Sequence, residues 1–479
     1  MKSSHIQKIN DYNSCIVVNT SPSRQHQNKE YSLNLEVYTR DSIRQNPQAG
    51  KLAALDGAVK DLRGAIGATR NDQDTLRLLI SNLFVAWCTV GNPFVTTPMA
   101  RNAYSPGARL HKLHLRRDRV RKLVSALEEH EYIEVHRGFY DVQKRNGRCS
   151  RIRTAERLRH VFVRHALTIK SLHRSSPLVI LRDEQKNITT GKLAAQANQF
   201  YPAILKVNVT LALAEVRLVI DEKAFINTYV LATEGRKAPC NPPNPCAVLL
   251  YRVFNKTFEL GGRFYGPWWQ GVPKKLRKDI TIDGYPVVEL DYKSLHPRIL
   301  YLKEGVALAG DPYTLPGYGT PFRPIIKLLL NCGINAESSQ KAMKAVRNEI
   351  ANNFSLLGKF KECLTNTWLQ NAWSAMCRYH SAIVQYLGTG YGLKLQRVDS
   401  DMAEYIMLQM GRKGIPVLCI HDSFVAPNVH EQTLRAVMID ASRKYAGGCI
   451  PVENKMPENS LPNTYFNFNS GWLHKNTAE

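Results

Sequence analysis

Apolar residues change their spacing several times along the chain, and each change predicts an element. The first 45 or so residues are rich in Ser, Asn and Gln and weakly patterned, which predicts a loose polar arm over 1–70 with helix beginning near Leu52. From Asp72 onward, Leu76, Leu79, Ile80, Leu83 and Phe84 recur at helical spacing. A second helix follows Asp118, a candidate cap, with Val120, Leu123, Val124 and Leu127 at i, i+3, i+4 and i+7. The pattern then turns to strands. Residues 132–135 and 139–142 flank a Gly turn, Lys144-Arg145-Asn146-Gly147-Arg148 makes a basic tip, and Arg151-Ile152-Arg153 returns. Ala, Leu and Val runs between Gly191 and Leu231 predict a helical connector or thumb-like region over 175–250, closed by a rigid Pro-rich loop at 238–245. Further on, Val287-Val288-Glu289-Leu290-Asp291 reads as a strand ending in a carboxylate. Residues 415–425 read as two apolar strands that meet at His421-Asp422.

Charge changes this picture most. The 479 residues hold 65 Lys and Arg against 40 Asp and Glu, a net charge of +25, and a polyanion is the simplest partner for such a surplus. Between residues 101 and 174, 19 Lys and Arg stand against 7 Asp and Glu, so about half of the surplus sits there. A helix followed by a basic two-stranded wing resembles a winged helix-turn-helix. That resemblance implies a nucleic-acid-binding unit over 71–174 with Arg145, Arg148 and Arg151 on phosphates, which give affinity without sequence readout. Winged helices also serve protein contacts, and that alternative stays open.

Apolar content of 44% and aromatic content of 9% fit a globular protein. Ten cysteines without a repeated short spacing argue against a zinc site and for thiols in a reducing cytosol. The start lacks a signal-peptide core, and no run approaches ~18 uninterrupted apolar residues, so a cytoplasmic protein with no membrane partner is expected.

A strand-end Asp291 and a hairpin-tip Asp422 can be brought side by side on one sheet, where two carboxylates suit a pair of divalent ions. The residues around them carry a resemblance. Asp291-Tyr292-Lys293-Ser294-Leu295-His296-Pro297-Arg298 resembles the first palm motif of family A DNA polymerases, D-Y-S-x-I/L-E-x-R. Arg323, Lys327, Asn331 and Asn335 follow the four-residue spacing of the family's R-x-x-x-K-x-x-x-F/M-x-x-x-Y-G fingers helix, so all four share one slowly drifting face. His421-Asp422-Ser423-Phe424 resembles the third motif, closer to the form in phage single-subunit RNA polymerases. Gly262-Arg263, ahead of a Gln-Gly-Val-Pro segment and Arg277, resembles T-G-R-L-S, and the stretch from Gln396 to Asp401 resembles Q-G-T-A-A-D. These matches span 261–425.

The resemblance implies an α+β fold: a right-hand polymerase palm and fingers with a C-terminal tail over 251–479, preceded by the winged-helix domain and the connector. It implies Asp291 and Asp422 as ligands of two Mg²⁺, with Mn²⁺ able to substitute, and a primer-template and nucleoside triphosphates as partners. Arg323, Lys327, Asn331, Asn335, His296 and Tyr292 would contact the nucleotide. Arg263, Arg298, Gln396 and His421 would contact primer or template. Asn335 and Ala336 depart from the family's Tyr-Gly. His296 replaces the glutamate that blocks a ribose 2′-hydroxyl, and an imidazole is bulky enough for the same task. No proofreading carboxylate set is visible in residues 1–250.

The expected activity is therefore DNA synthesis without proofreading, in a plasmid, phage or other mobile element. A single-subunit RNA polymerase or primase, and a DNA-binding replication initiator with a degenerate palm, are the alternatives. Trp268 and Trp269 are expected either to stack on nucleic acid or to fill a core, while His160, His165 and His173 are read as structural or phosphate-facing. Tyr465, Phe466, Phe468 and Trp472 are expected to tie the tail onto the palm.

Overall fold

The computed structural model describes residues 16–19, 32–34, 52–89, 92–143, 146–168, 172, 177–189, 195–230, 240 and 242–456. The fold is mixed α+β, with two separate hydrophobic cores. Arg145, His173 and the aromatic tail residues lie outside the described residues.

The smaller core belongs to the basic half. Helices Leu52–Ala65 and Gln73–Trp87 pack together, and the second buries Leu76, Leu79, Ile80, Leu83 and Phe84 as their spacing predicts. The Arg117–Glu129 helix likewise buries Val120, Leu123, Val124 and Leu127. Its cap is Arg116, not Asp118, which instead lies exposed in the first turn. There its charge still favours the positive end of the helix dipole.

The strands are, in chain order, β1 (Ile16–Asn19), β2 (Ser32–Asn34), β3 (Phe94–Thr96), β4 (Ile133–His136), β5 (Phe139–Asp141), β6 (Asn146–Arg148) and β7 (Arg151–Thr154). A sheet of order β2-β3-β7-β4 covers this core, and β5 and β6 form a separate hairpin beyond it. Phe84 meets Phe162 of the Glu156–Arg164 helix edge-on at 5.1 Å, which closes the core.

The larger core carries the central sheet. Its strands are β8 (Val179–Arg182), β9 (Val216–Asp221), β10 (Tyr251–Asn255), β11 (Thr257–Tyr265), β12 (Ile280–Ile282), β13 (Tyr285–Tyr292), β14 (Leu418–Ile420), β15 (Ser423–Pro427) and β16 (Val452–Asn454). The order is β1-β9-β12-β13-β15-β14, with β16 also on β13, and a second sheet runs β11-β10-β8. β13 sits centrally because Val287, Val288 and Leu290 are buried, as a strand covered on both faces requires.

Two expectations change here. Ile16–Asn19 and Ser32–Asn34, expected in a loose arm, pair in parallel with β9 and β3. The 175–250 stretch contains the Tyr201–Leu213 helix but also gives β8 and β9 to the sheets. Val216, Leu218 and Ile220 alternate with exposed or half-buried neighbours, a period-two signal hidden inside an Ala- and Leu-rich composition.

The Gly392–Arg412 helix lies along β11. Arg252, fully buried on β10, fixes it there: its guanidinium donates to the Gly262 carbonyl (2.7 Å), Glu404 (2.7 Å), Ser400 Oγ (2.9 Å) and Asp401 (3.1 Å). Gly262 has φ +86°, and a Cβ there would lie 2.8 Å from the Phe254 ring and 2.9 Å from Ser400 Oγ, so only glycine fits. Trp268 and Trp269 settle as core residues. Among the described residues no helix is long and apolar enough to cross a membrane.

Candidate active site

Asp291 lies near the end of β13, opposite Ser423 of β15 on one side and Glu453 of β16 on the other. β14 and β15 are joined by His421 and Asp422 alone, since Ile420 pairs with Ser423. Asp422 is thereby set beside Asp291 across the strand pair. His421 takes φ +61°, a left-handed conformation that a non-glycine residue holds only where its surroundings impose it.

Asp291 is 18% exposed; its Oδ1 is buried without a hydrogen-bond partner, and its Oδ2 lies 3.2 Å from Lys455 Nζ. Burial raises its pKa first and the Asp422 charge second, and against the pull of Lys455 it stands at about 6. Two crowded carboxylates and an unsatisfied oxygen are the donor chemistry that a divalent cation relieves, so the pair fits Mg²⁺. Among the described residues no cluster of three or more His, Cys, Asp or Glu is arranged to hold a metal.

A raised carboxyl pKa favours the protonated form in the fold. The penalty is full above the folded value near 6 and disappears below the ordinary value of 3.8. Asp291→Asn is therefore expected to stabilise the metal-free protein by roughly 3 kcal/mol at pH 8, with the gain vanishing below about pH 4. Urea unfolding across that pH range checks this; a gain that grows on acidification contradicts it.

A cavity of about 490 Å³ opens over the pair. Arg263, His296, Arg323, Lys327, Asn331, Asn335, Gln396 and His421 all line it with Asp291 and Asp422, as does Tyr292. The Arg323–Asn335 helix puts its four polar positions on the cavity wall and buries Ile325, Ile326, Leu329 and Leu330 behind them. Arg323 is already held by Asp311, through Nε at 2.6 Å and a terminal nitrogen at 2.9 Å. Lys327 Nζ stands 5.5 Å above the Tyr313 ring. Burial pulls the His421 pKa below its ordinary value, with Arg263 adding to the shift.

No protein-family model matches the chain. No curated protein matches it either. Among solved structures it is similar to the POL domain of Pol1 from M. smegmatis in complex with DNA primer-template and dNTP, at 12% identity. The match covers 57% of this chain and 57% of that one, with a TM-score of 0.25. The chain thus spans little over half of that structure, and so loose a superposition transfers no residue roles.

Several expected residues are placed otherwise. The Tyr292 ring is buried and its hydroxyl donates to the Met438 carbonyl, while the residue also lines the cavity. Neighbouring positions on a strand face opposite ways, and with Asp291 toward the cavity Tyr292 must point behind it. Arg298 does not reach the cavity; a terminal nitrogen approaches the Gly310 carbonyl at 3.4 Å. Arg151 is buried over the Phe94 ring at 4.3 Å, which removes it from the phosphate contacts expected of it. Arg148 is exposed on β6. His165 binds Asp61 at 2.8 Å and His160 lies 3.8 Å from Glu156.

The sequence reading also missed residues. Glu289, buried two positions before Asp291, accepts from Arg277 (2.7 Å) and Ser423 Oγ (2.8 Å) and braces the strand pair. Its signal was a charge inside an apolar run. Glu453 arrives on β16 and Lys455 just after it, and Asp399 from the Gly392–Arg412 helix binds Arg263 and His296.

Proposed function

We propose that the chain is a template-directed nucleotidyltransferase, a DNA polymerase without proofreading that extends a primer 3′-hydroxyl with nucleoside triphosphates. The observation that carries this reading is the meeting of Asp291, with an unpartnered buried oxygen, and Asp422 beneath a cavity walled by Arg323 and Lys327. Mg²⁺ held by the two carboxylates would supply a more acidic attacking hydroxyl and charge neutralisation at the leaving pyrophosphate. The chain's own residues bind and orient. Lys327 and Arg323 offset the triphosphate charge, as phosphoryl transfer requires. Asn331, Asn335 and Gln396 offer hydrogen bonds to base, sugar or strand. His421, its pKa lowered, is an uncharged partner for the primer terminus at neutral pH.

DNA binding is assigned to residues 71–174, read as a winged helix. Its support is the run of helix, β3, helix, β4, hairpin and β7, together with the basic surplus and the exposed Phe139, Tyr140 and Arg148 of the hairpin. Steady charge attraction there would hold template near a site that itself reads no sequence.

Primer extension over the four combinations of DNA or RNA template with dNTPs or rNTPs tests the assignment. Synthesis from dNTPs on a primed DNA template is expected, and no incorporation in any combination refutes it. Because Arg323 is already neutralised by Asp311, Lys327 is the stronger determinant of nucleotide binding. Lys327→Ala is expected to raise KM for the triphosphate by about 10- to 100-fold, and Arg323→Ala by less. Steady-state kinetics with varied nucleotide decides the order.

A further inference from the structure

Three side chains on three separate elements meet beside the carboxylate pair. Asp399, in the Gly392–Arg412 helix, is 2% exposed at its side chain. Its Oδ2 lies 2.8 Å from His296 Nε2, in the first turn of the Leu295–Lys303 helix. Both its oxygens take the Arg263 Nε of β11, at 3.1 and 3.2 Å, and Oδ2 takes a second Arg263 nitrogen. His296 and Arg263 line the cavity, whereas Asp399 stands behind them and does not. A buried carboxylate is costly, and apolar residues of similar volume often stabilise a fold as well or better. One aimed at two cavity-lining groups is better explained by what those groups must do.

We propose that Asp399 is a positioning residue that fixes the His296 imidazole at the cavity wall and, through it, sets discrimination between ribo- and deoxyribonucleoside triphosphates. The proposal rests on the nucleotidyl-transfer reading. In a nucleoside triphosphate the reacting phosphate joins the sugar through one carbon, so carboxylates that act on the phosphate have the sugar beside them. His296 follows Asp291 by five positions, across the turn from β13 into the Leu295–Lys303 helix, and lines the same cavity. With Nε2–H donated to Asp399, the ring can neither swing out of the cavity nor exchange its tautomer freely. A ring held in one place excludes an extra hydroxyl, whereas an untethered ring moves aside and admits it. Arg263 grips both oxygens of the same carboxylate and shares Oδ2 with His296, which keeps Asp399 from rotating away.

The test is single-nucleotide incorporation of a dNTP and the matching rNTP by wild type, Asp399→Asn, His296→Ala and the double variant. Asp399→Asn is expected to lower the dNTP-over-rNTP ratio of kcat/KM by about 10-fold or more, chiefly by improving rNTP use. In the His296→Ala background the same change should move the ratio by less than about 2-fold, because the residue through which Asp399 acts is gone. An unchanged ratio in Asp399→Asn, or an equal effect with and without His296, overturns the proposal and leaves the polymerase reading intact. Absence of incorporation by wild type in every combination overturns both. If Asp399→Asn fails to fold, His296→Gln and His296→Ala decide: both must lower the ratio, and a ratio equal to wild type in either overturns the proposal.

Discussion

Asp422→Ala is expected to lower nucleotide incorporation by about 10³-fold or more while leaving nucleic-acid binding close to wild type. The loss should be this large because Asp422 has no substitute in its turn. His421 is held at φ +61° by the tight β14–β15 connection, so no neighbouring side chain can swing into the vacated place. Binding should survive because residues 71–174 pack around the other hydrophobic core. Primer extension beside a gel-shift separates the two effects. Synthesis retained within about 10-fold removes Asp422 from the chemistry. Joint loss of synthesis and binding makes its role structural instead.

Arg252→Ala is expected to destabilise the fold by about 3–5 kcal/mol, a large share of a typical domain's stability. Its side chain is fully buried, and without it Glu404 would lose its guanidinium partner and Asp401 would keep only Arg397. The rings of Phe200, Phe254 and Phe264 lie 4.9–5.3 Å from its guanidinium and would lose their packing partner as well. Arg252→Met should recover only the packing part. Urea unfolding with an unchanged denaturant slope measures both. A loss below about 1 kcal/mol would mean that the buried charges are far better hydrated than their surroundings indicate.

What the sequence reveals follows the range of the interaction involved. The Arg323–Asn335 helix was legible because four polar residues at four-residue steps alternate with an apolar face, a local rule. The β13 and β14–β15 strands were legible for the same reason, and so was the convergence of Asp291 and Asp422, given strands that end in carboxylates. The Tyr292 ring and Arg151 are buried, which strand parity decides and motif spacing does not. β1, β9 and β16 were hidden because a short strand is recognised by its partner, and these partners are remote in sequence. Asp399 lay within a stretch already singled out. Its importance depends on where His296 and Arg263 arrive, which no spacing within one helix encodes.

The seating of β16 against β13 bears on how the protein is made. Asp291 emerges from the ribosome long before Glu453 of the adjacent strand and Lys455 just beyond it. A nascent chain therefore holds an incomplete centre, short of its companion strand and of the lysine that tempers its negative charge, until almost all of the described sequence has been translated. Premature termination between residue 174 and Val452 would release a product that keeps the basic region and lacks β16. Under the function we propose, such a fragment would compete for template and contribute no synthesis.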